Sequence, residues 1–431
     1  MPLPCARVVG AGLAGCEAAY ALAERGIQVD LFDMKPKKKS PAHRSDAFCE
    51  LVCSNSLRSD RIENAVGLLK AEMRLLNSLV IQAADATRVP AGGALAVNRE
   101  GFSLRVTQAV RTHPNIRVHE EEITDLPDPP AIVATGPLTS DALAQRIADC
   151  TGGSLHFYDA AAPIVSYDSL DLSKIYRASR YGRGEDYLNC PMTREEYFAF
   201  YRELVAAETA PLHAFEPPRV FEGCMPAETM ARRGELALCY GPMKPVGLEI
   251  GDQRPFAVAQ LRQDDREGRL WNIVGFQTNL KFAEQRRVFG MIPGLEHAEF
   301  VRYGVMHRNT FLPSPGLLSF DYQMRTRPGL YFAGQITGVE GYVESASSGL
   351  LAALELSRAL RGLPPVDFTA GTAIGALGHY VAEYAGNDFQ PMNVTFGIMD
   401  PLSERIRNKQ ERYRKIAERA LRIVKELKTY C

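Results

Sequence analysis

The 431-residue chain has no long uninterrupted apolar run, which argues against a membrane-spanning helix. It also has almost no net charge. Fifty basic residues against fifty-one acidic ones leave a formal charge of −1, so no global field attracts nucleic acid and any RNA contact must come from local patches. Nine cysteines stand at positions 5, 16, 49, 53, 150, 190, 224, 239 and 431, without a C-x-x-C pair or zinc-type spacing. That odd, irregular set fits reduced thiols and gives no reason to expect a redox disulfide or a metal site. Residues 1–7 carry neither a basic leader nor a long apolar stretch, so no secretion signal is expected and the protein reads as cytoplasmic.

What the chain does have is the run Val8-Val9-Gly10-Ala11-Gly12-Leu13-Ala14-Gly15-Cys16-Glu17, a G-x-G-x-x-G between an apolar strand and an alanine-rich helix. Gly10 permits the tight turn, Gly12 lets backbone approach a pyrophosphate, and Gly15 lets helix and strand pack closely. The N–H groups of Leu13 and Ala14 open the helix toward the anion. A second strand, Ile27-Gln28-Val29-Asp30-Leu31-Phe32-Asp33, ends on Asp33, the expected partner of the adenosine ribose hydroxyls. A nucleotide site follows from that context, and Ala11 belongs to it as the turn's middle residue. No second G-x-G-x-x-G marks a nicotinamide site, so a pyridine-nucleotide disulfide reductase is not expected.

A chain of this length is expected to form two domains, one inserted in the other. The assignment is residues 1–150 for the first part of a nucleotide domain, 151–315 for an insertion, and 316–431 for the second part. From Asp60, with Glu63 three residues on, a capping box predicts a helix whose apolar stripe runs through Val66, Leu69, Met73 and Leu76. Ala131-Ile132-Val133-Ala134-Thr135-Gly136 reads as a buried strand and small-residue turn. It resembles the turn that lies against the nucleotide in flavoproteins of the glutathione-reductase type, which makes Thr135 and Gly136 cofactor contacts. Near the end, a strand through Tyr331 and Phe332 leads to Gly334 and Gln335. Gly341 and Tyr342 then open a helix, an arrangement suited to the flavin end of FAD. Thr193 and Glu196 form a second capping box. The basic, proline-bounded loop Lys35-Pro36-Lys37-Lys38-Lys39-Ser40-Pro41 is either solvated or an anion or RNA contact. From Glu404 to Lys428 a helix is predicted, with ten basic against four acidic residues; it is a solvated face or an RNA-backbone surface.

Eleven stretches in order, at residues 10–17, 41–43, 51–57, 89–97, 134–138, 187–193, 221–226, 241–248, 301–310, 333–348 and 389–393, go beyond a generic flavoprotein. Together they resemble the folate- and FAD-dependent tRNA uridine-C5 methyltransferase family, TrmFO, from end to end. The resemblance implies an α/β chain: a Rossmann-like FAD-binding domain of glutathione-reductase type with an inserted α+β domain. It also implies a flavoenzyme in which 5,10-methylenetetrahydrofolate supplies the carbon, FAD carries it and the electrons, NAD(P)H is the reductant, and a T-loop uridine of tRNA is the acceptor. Cys16 and Cys49 depart from the family pattern, in which other residue types are usual.

Uracil C5 is a poor nucleophile until a group adds at C6, so such an enzyme needs a thiolate and a base for the C5 proton. By resemblance the working thiols are Cys224, as the C6 nucleophile, and Cys53, as the assisting group. From the residues alone a cysteine in an apolar setting is more often a packed core thiol, and only the resemblance singles out these two; Cys190 is a third candidate. Tyr342 is read either as a wall of the pocket or as an aromatic packed in a core strand-helix junction. His307 and Arg308 are read as contacts to the folate tail or RNA phosphate, or else as structural polar groups. Three other readings fit the same residues: the same methylation on ribosomal RNA, a folate-oxidising flavoprotein that uses no RNA, or a flavin-bearing module that binds RNA without turnover.

Overall fold

The computed structural model describes residues 5–40, 42–153, 155–210, 225–251, 253–386 and 389–430, with the backbone alone at 155–160, 307 and 308. Strands apolar on both faces need cover on both sides, and a parallel sheet with crossover helices provides it. Here Cys5–Val9 stands at the centre, between Gln28–Asp33 and Ala131–Val133. Ile116–Glu120 and Leu330–Phe332 form the two edges, and all neighbours are parallel. Val8 sits beside Leu31 on one side and Ile132 on the other, each fully buried. The edge strand Leu330–Phe332 comes from the far end of the chain, so both ends of the sequence build one nucleotide-type sheet.

The helix Leu13–Ala23 packs on the long helix Tyr342–Leu360. Small residues set that distance: a Cβ on Gly349 would lie 2.1 Å from the Ala14 carbonyl oxygen, so only glycine fits at the crossing. Two buried glutamates tie further helices to this layer by taking the orphan N–H groups of a first turn. Glu17 accepts from Ser78 Oγ (2.8 Å), Leu79 N (3.1 Å) and Val80 N (2.8 Å), at the start of Leu79–Ala86. Glu72 accepts from Ala373 N (2.8 Å) and Ile374 N (2.9 Å), at the start of Ala373–Glu383. Burial pushes their carboxyls up, to about 7 for Glu17 and about 8 for Glu72, against the pull of those hydrogen bonds.

A second core gathers around a six-stranded antiparallel sheet in the order Tyr176–Arg177, Tyr187–Met192, Ala257–Gln263, Leu270–Ile273, Ile164–Ser166, Phe300–Arg302. The helix Arg194–Ala206 covers it through buried Tyr197, Phe200 and Leu204, and the capping box of Thr193 and Glu196 is formed at its start. The antiparallel pair Leu155–Ala160 and Met306–Phe311 carries the chain out of the nucleotide layer and back.

Two element starts differ from expectation. The helix expected from Asp60 runs over Ala65–Leu75 behind Asn64, because Asp60 is drawn into ion pairs with Arg74 (2.9 Å) and Arg88 (2.7 Å) instead of capping. The terminal helix is Lys409–Leu427, capped by Asn408. Its apolar face (Ile416, Ala417, Ala420, Val424) packs on Ala65–Leu75, while Glu404 lies ahead of it, paired with Lys415 at 2.8 Å. Among the described residues, no helix is long and apolar enough to cross a membrane.

Candidate active site

In an open parallel sheet a ligand is received beyond the carboxyl ends of the strands, where neighbouring connections diverge. A cleft lies there, lined by Val9, Phe32, Ala134 and Gly334 at the strand ends. The glycines divide the labour. Gly10, at φ +100, backs onto the Ala134 carbonyl oxygen, 2.5 Å from where a Cβ would stand. At Gly15 a Cβ would fall 1.7 Å from the Gly10 oxygen. Gly12 is different: its φ is −79, and no heavy atom comes within 4 Å of its Cβ position. It faces the open cleft at the start of Leu13–Ala23, where no side chain caps the helix, so the first N–H groups stay available to an anion.

Asp33 lines the same cleft, and its carboxylate accepts from Ala11 N (2.6 Å) and Lys35 N (2.9 Å). These bonds tie the end of the second strand to the glycine turn and hold the carboxylate at the cleft. Ala11 itself is buried and does not line the cleft; its carbonyl accepts from Cys49 N (3.1 Å) and Cys16 Sγ (3.4 Å). Cys16 and Cys49 therefore meet beneath the turn, where burial and the neighbouring Cys49 push the Cys16 thiol well up. Within the basic loop, Lys35 turns inward to Ala47 O (2.6 Å) and lines the cleft, whereas Lys38 and Lys39 pair with Glu122 and Asp46.

At the far end of the cleft stand Thr135, Gly136, Gly334, Gln335 and Tyr342. Gly341, at φ +112, begins the helix Tyr342–Leu360 just outside the lining. The Tyr342 hydroxyl accepts from the backbone N–H groups of Cys53 (2.7 Å) and Ser54 (3.2 Å). Removal from water, with Cys53 nearby, pushes the Tyr342 phenol far above its usual range, so it stays protonated.

Three arginines converge on the loop that carries Cys53. Arg99 donates to Leu51 O and forms a two-point pair with Asp264 at 2.9 and 3.1 Å. Arg302 donates to Val52 O. Arg262 donates to Ser54 Oγ (2.7 Å) and Asn55 Oδ1 (3.1 Å). Burial pulls the guanidinium pKa values of Arg262 and Arg302 down; at Arg99 the opposing charge of Asp264 outweighs burial. Arg262 and Arg302 come from the antiparallel sheet, so the loop lies at the junction of the two cores with its thiol half-buried. That is the electropositive, partly exposed setting in which reactive cysteines are found. Cys190, by contrast, is fully buried in a strand and its thiol is pushed up to about 12 by burial.

Cys224 lies outside the described residues. Of the residues named from the sequence, Gly10, Gly12, Leu13, Ala14, Asp33, Thr135, Gly136, Gly334, Gln335 and Tyr342 line one cleft. Ala11 and Gly15 support it from behind, and Cys53 is hydrogen-bonded to its wall. Sequence reasoning missed Arg99 and Arg262, which stand in no motif, and also His43, held to Ser40 Oγ at 2.6 Å in the lining. Burial, reinforced by the positive charge of Lys35, lowers the pKa of that imidazole.

The family model described as glucose inhibited division protein A matches residues 6–364. Two proteins named methylenetetrahydrofolate–tRNA-(uracil-5-)-methyltransferase TrmFO are similar over nearly the whole chain. The one from Acetivibrio thermocellus is 59% identical over 424 residues, covering 97% of each chain. The one from Bacillus licheniformis is 57% identical over 424 residues, covering 97% of this chain and 98% of the relative. Among solved structures, GidA from Aquifex aeolicus in its form II crystal aligns with a TM-score of 0.72 at 15% identity, over 98% of this chain and 73% of that chain.

Proposed function

Because the chain belongs to the TrmFO family of methylenetetrahydrofolate–tRNA-(uracil-5-)-methyltransferases, within the glucose inhibited division protein A group, we propose that it methylates C5 of a T-loop uridine in tRNA. The carbon comes from 5,10-methylenetetrahydrofolate by way of FAD, and NAD(P)H is the reductant. The observation that carries this reading is the Cys53 loop. It joins the wall of a dinucleotide cleft to a second core, within a chain 59% identical to a protein of that name.

The residues fit FAD. The open Gly12 and the uncapped helix start would receive the pyrophosphate, Asp33 would hold the adenosine ribose, and Thr135, Gly136, Gly334, Gln335 and Tyr342, with Gly341 behind them, would hold the flavin end. When bound, FAD supplies two-electron chemistry and carries the one-carbon unit. The chain's own residues do the rest. A thiolate, assigned to Cys224, adds at uracil C6 and places the electron pair at C5. C5 bonds to the incoming carbon, the C5 proton leaves to a base, a role assigned to Cys53, and the electron pair left behind expels the nitrogen that delivered the carbon, giving an exocyclic methylene. The carbon arrives at the oxidation level of formaldehyde, so one hydride equivalent originating in NAD(P)H adds to that methylene to complete the methyl group. The electron pair returned to C5 then expels the thiolate from C6 and restores the ring.

The organisation assigned is a nucleotide domain from residues 1–150 and 316–431, with 151–315 as the insertion, acting in the cytoplasm. The outward cations of the terminal helix, Arg414, Arg422 and Lys425 among them, are assigned to the tRNA backbone.

A tRNA carrying 5-fluorouridine tests the covalent step. Fluorine at C5 cannot leave as a proton does, so the adduct persists and migrates as protein-linked RNA in a denaturing gel. Absence of that band, from a preparation that still reduces its flavin with NAD(P)H, contradicts the assignment.

A further inference from the structure

An exposed stack of aromatic rings stands on the second core, apart from the cleft. Phe300 is partly buried against that core; Tyr303 lies parallel to it (3°, centroids 5.5 Å apart); Phe282 stacks on Tyr303 at 4.5 Å and 18°. The outermost ring, Phe282, is 52% exposed. Arg286 lies 5.3 Å from the Tyr303 ring and donates to its hydroxyl; among the described residues this exposed guanidinium pairs with no carboxylate.

The stack is held in place by a buried side chain. Gln285, fully buried, donates to Leu280 O (2.7 Å) and Gly304 O (2.8 Å), and its oxygen accepts from Gly304 N (2.8 Å). One amide thus clamps the segment carrying Phe282 to the segment carrying Tyr303. Gly304 leaves no slack, since a Cβ there would meet Thr278 Cγ2 at 2.5 Å and Ala161 O at 2.6 Å. Rings in a hydrophobic core need no such arrangement on the outside. An exposed, pre-ordered ring face with an unneutralised guanidinium beside it matches what a single-stranded base and its phosphate offer: a flat π surface and an anion.

Location points the same way. Tyr303 directly follows Arg302, whose guanidinium holds Val52 O, the carbonyl next to Cys53. We infer that the Phe282–Tyr303 stack with Arg286 is a preformed platform for an unpaired base of the RNA acceptor, close to the uridine being methylated. This rests on the methyltransferase reading and adds the means by which that enzyme holds its RNA loop.

The test compares Phe282→Ala and Phe282→Trp with wild type in methyl transfer to tRNA, every preparation normalised to bound flavin and checked for folding by circular dichroism. Tyr240→Ala, at a residue 81% exposed elsewhere on the surface, serves as control. Base–aromatic stacking strength predicts that Phe282→Ala raises KM for tRNA about ten-fold or more with a smaller change in kcat. Phe282→Trp restores KM, and Tyr240→Ala leaves it at the wild-type value. A KM for Phe282→Ala within two-fold of wild type overturns the platform, whether or not sedimentation shows that the variant changes self-association. If the wild-type arm transfers no methyl group to tRNA, the underlying methyltransferase reading falls, and the platform with it.

Discussion

Cys53→Ala loses methyl transfer by a factor of about a hundred or more, the usual cost of a missing nucleophile or acid–base group, while it still binds FAD and accepts electrons from NAD(P)H. The reason for expecting a chemical loss lies in how the loop is held. Tyr342 takes the backbone N–H groups of Cys53 and Ser54; Arg99 and Arg302 take the carbonyls of Leu51 and Val52; Arg262 takes the side chains of Ser54 and Asn55. The Cys53 sulfur takes no part in these bonds, so alanine leaves them in place. Cys224→Ala is expected to lose transfer equally. Stopped-flow flavin reduction beside a tRNA methylation assay separates the outcomes: a Cys53→Ala protein with full transfer contradicts the assigned role, and one without flavin shows a structural role instead.

The second large effect separates two glycines three residues apart. Gly12→Val keeps its fold and loses FAD; Gly15→Ala damages the fold itself. Gly12 has an ordinary φ and empty space around its Cβ position, so the protein alone tolerates a side chain there. The branched group instead occupies the place of the pyrophosphate. At about 1.5–3 kcal/mol for each N–H bond to a charged group, displacement from two such bonds weakens FAD by more than about a hundred-fold. At Gly15 the added carbon meets the Gly10 carbonyl oxygen at 1.7 Å, backbone against backbone, and no rotamer relieves it. Overpacking of this kind costs about 1–3 kcal/mol or more, read as a lowered melting temperature even without flavin. Thermal melts of flavin-free protein, beside flavin absorbance after purification, give both readings. Yellow Gly12→Val protein contradicts the geometry.

The nucleotide cleft was legible because its signals are local. A glycine's freedom, an apolar strand and the acidic residue at the end of the next strand are fixed by neighbours within a few dozen residues, and ten named residues line a single cleft. The Thr193–Glu196 box formed for the same reason. The helix start at Asp60 failed because its carboxylate was claimed by Arg74 and Arg88, residues whose approach depends on tertiary packing. The surroundings of Cys53 were illegible for a related reason: Arg99, Arg262 and Arg302 come from one helix and two strands, with no spacing to connect them. Nor did spacing announce that Cys16 and Cys49, far apart in sequence, share the Ala11 carbonyl. The aromatic platform had a partial signal, because Tyr303 lies in one of the recognised stretches. Phe282 and Gln285 do not.

The most direct measurement supplies 5,10-methylenetetrahydrofolate labelled in its methylene carbon, together with NAD(P)H and tRNA lacking T-loop methylation, then digests the RNA and analyses its nucleosides by mass spectrometry. The account predicts label in 5-methyluridine from the T-loop, formed only when tRNA, folate and reductant are all present. Equal consumption of the folate with and without tRNA, and no labelled nucleoside, would contradict it and leave a folate-oxidising flavoprotein.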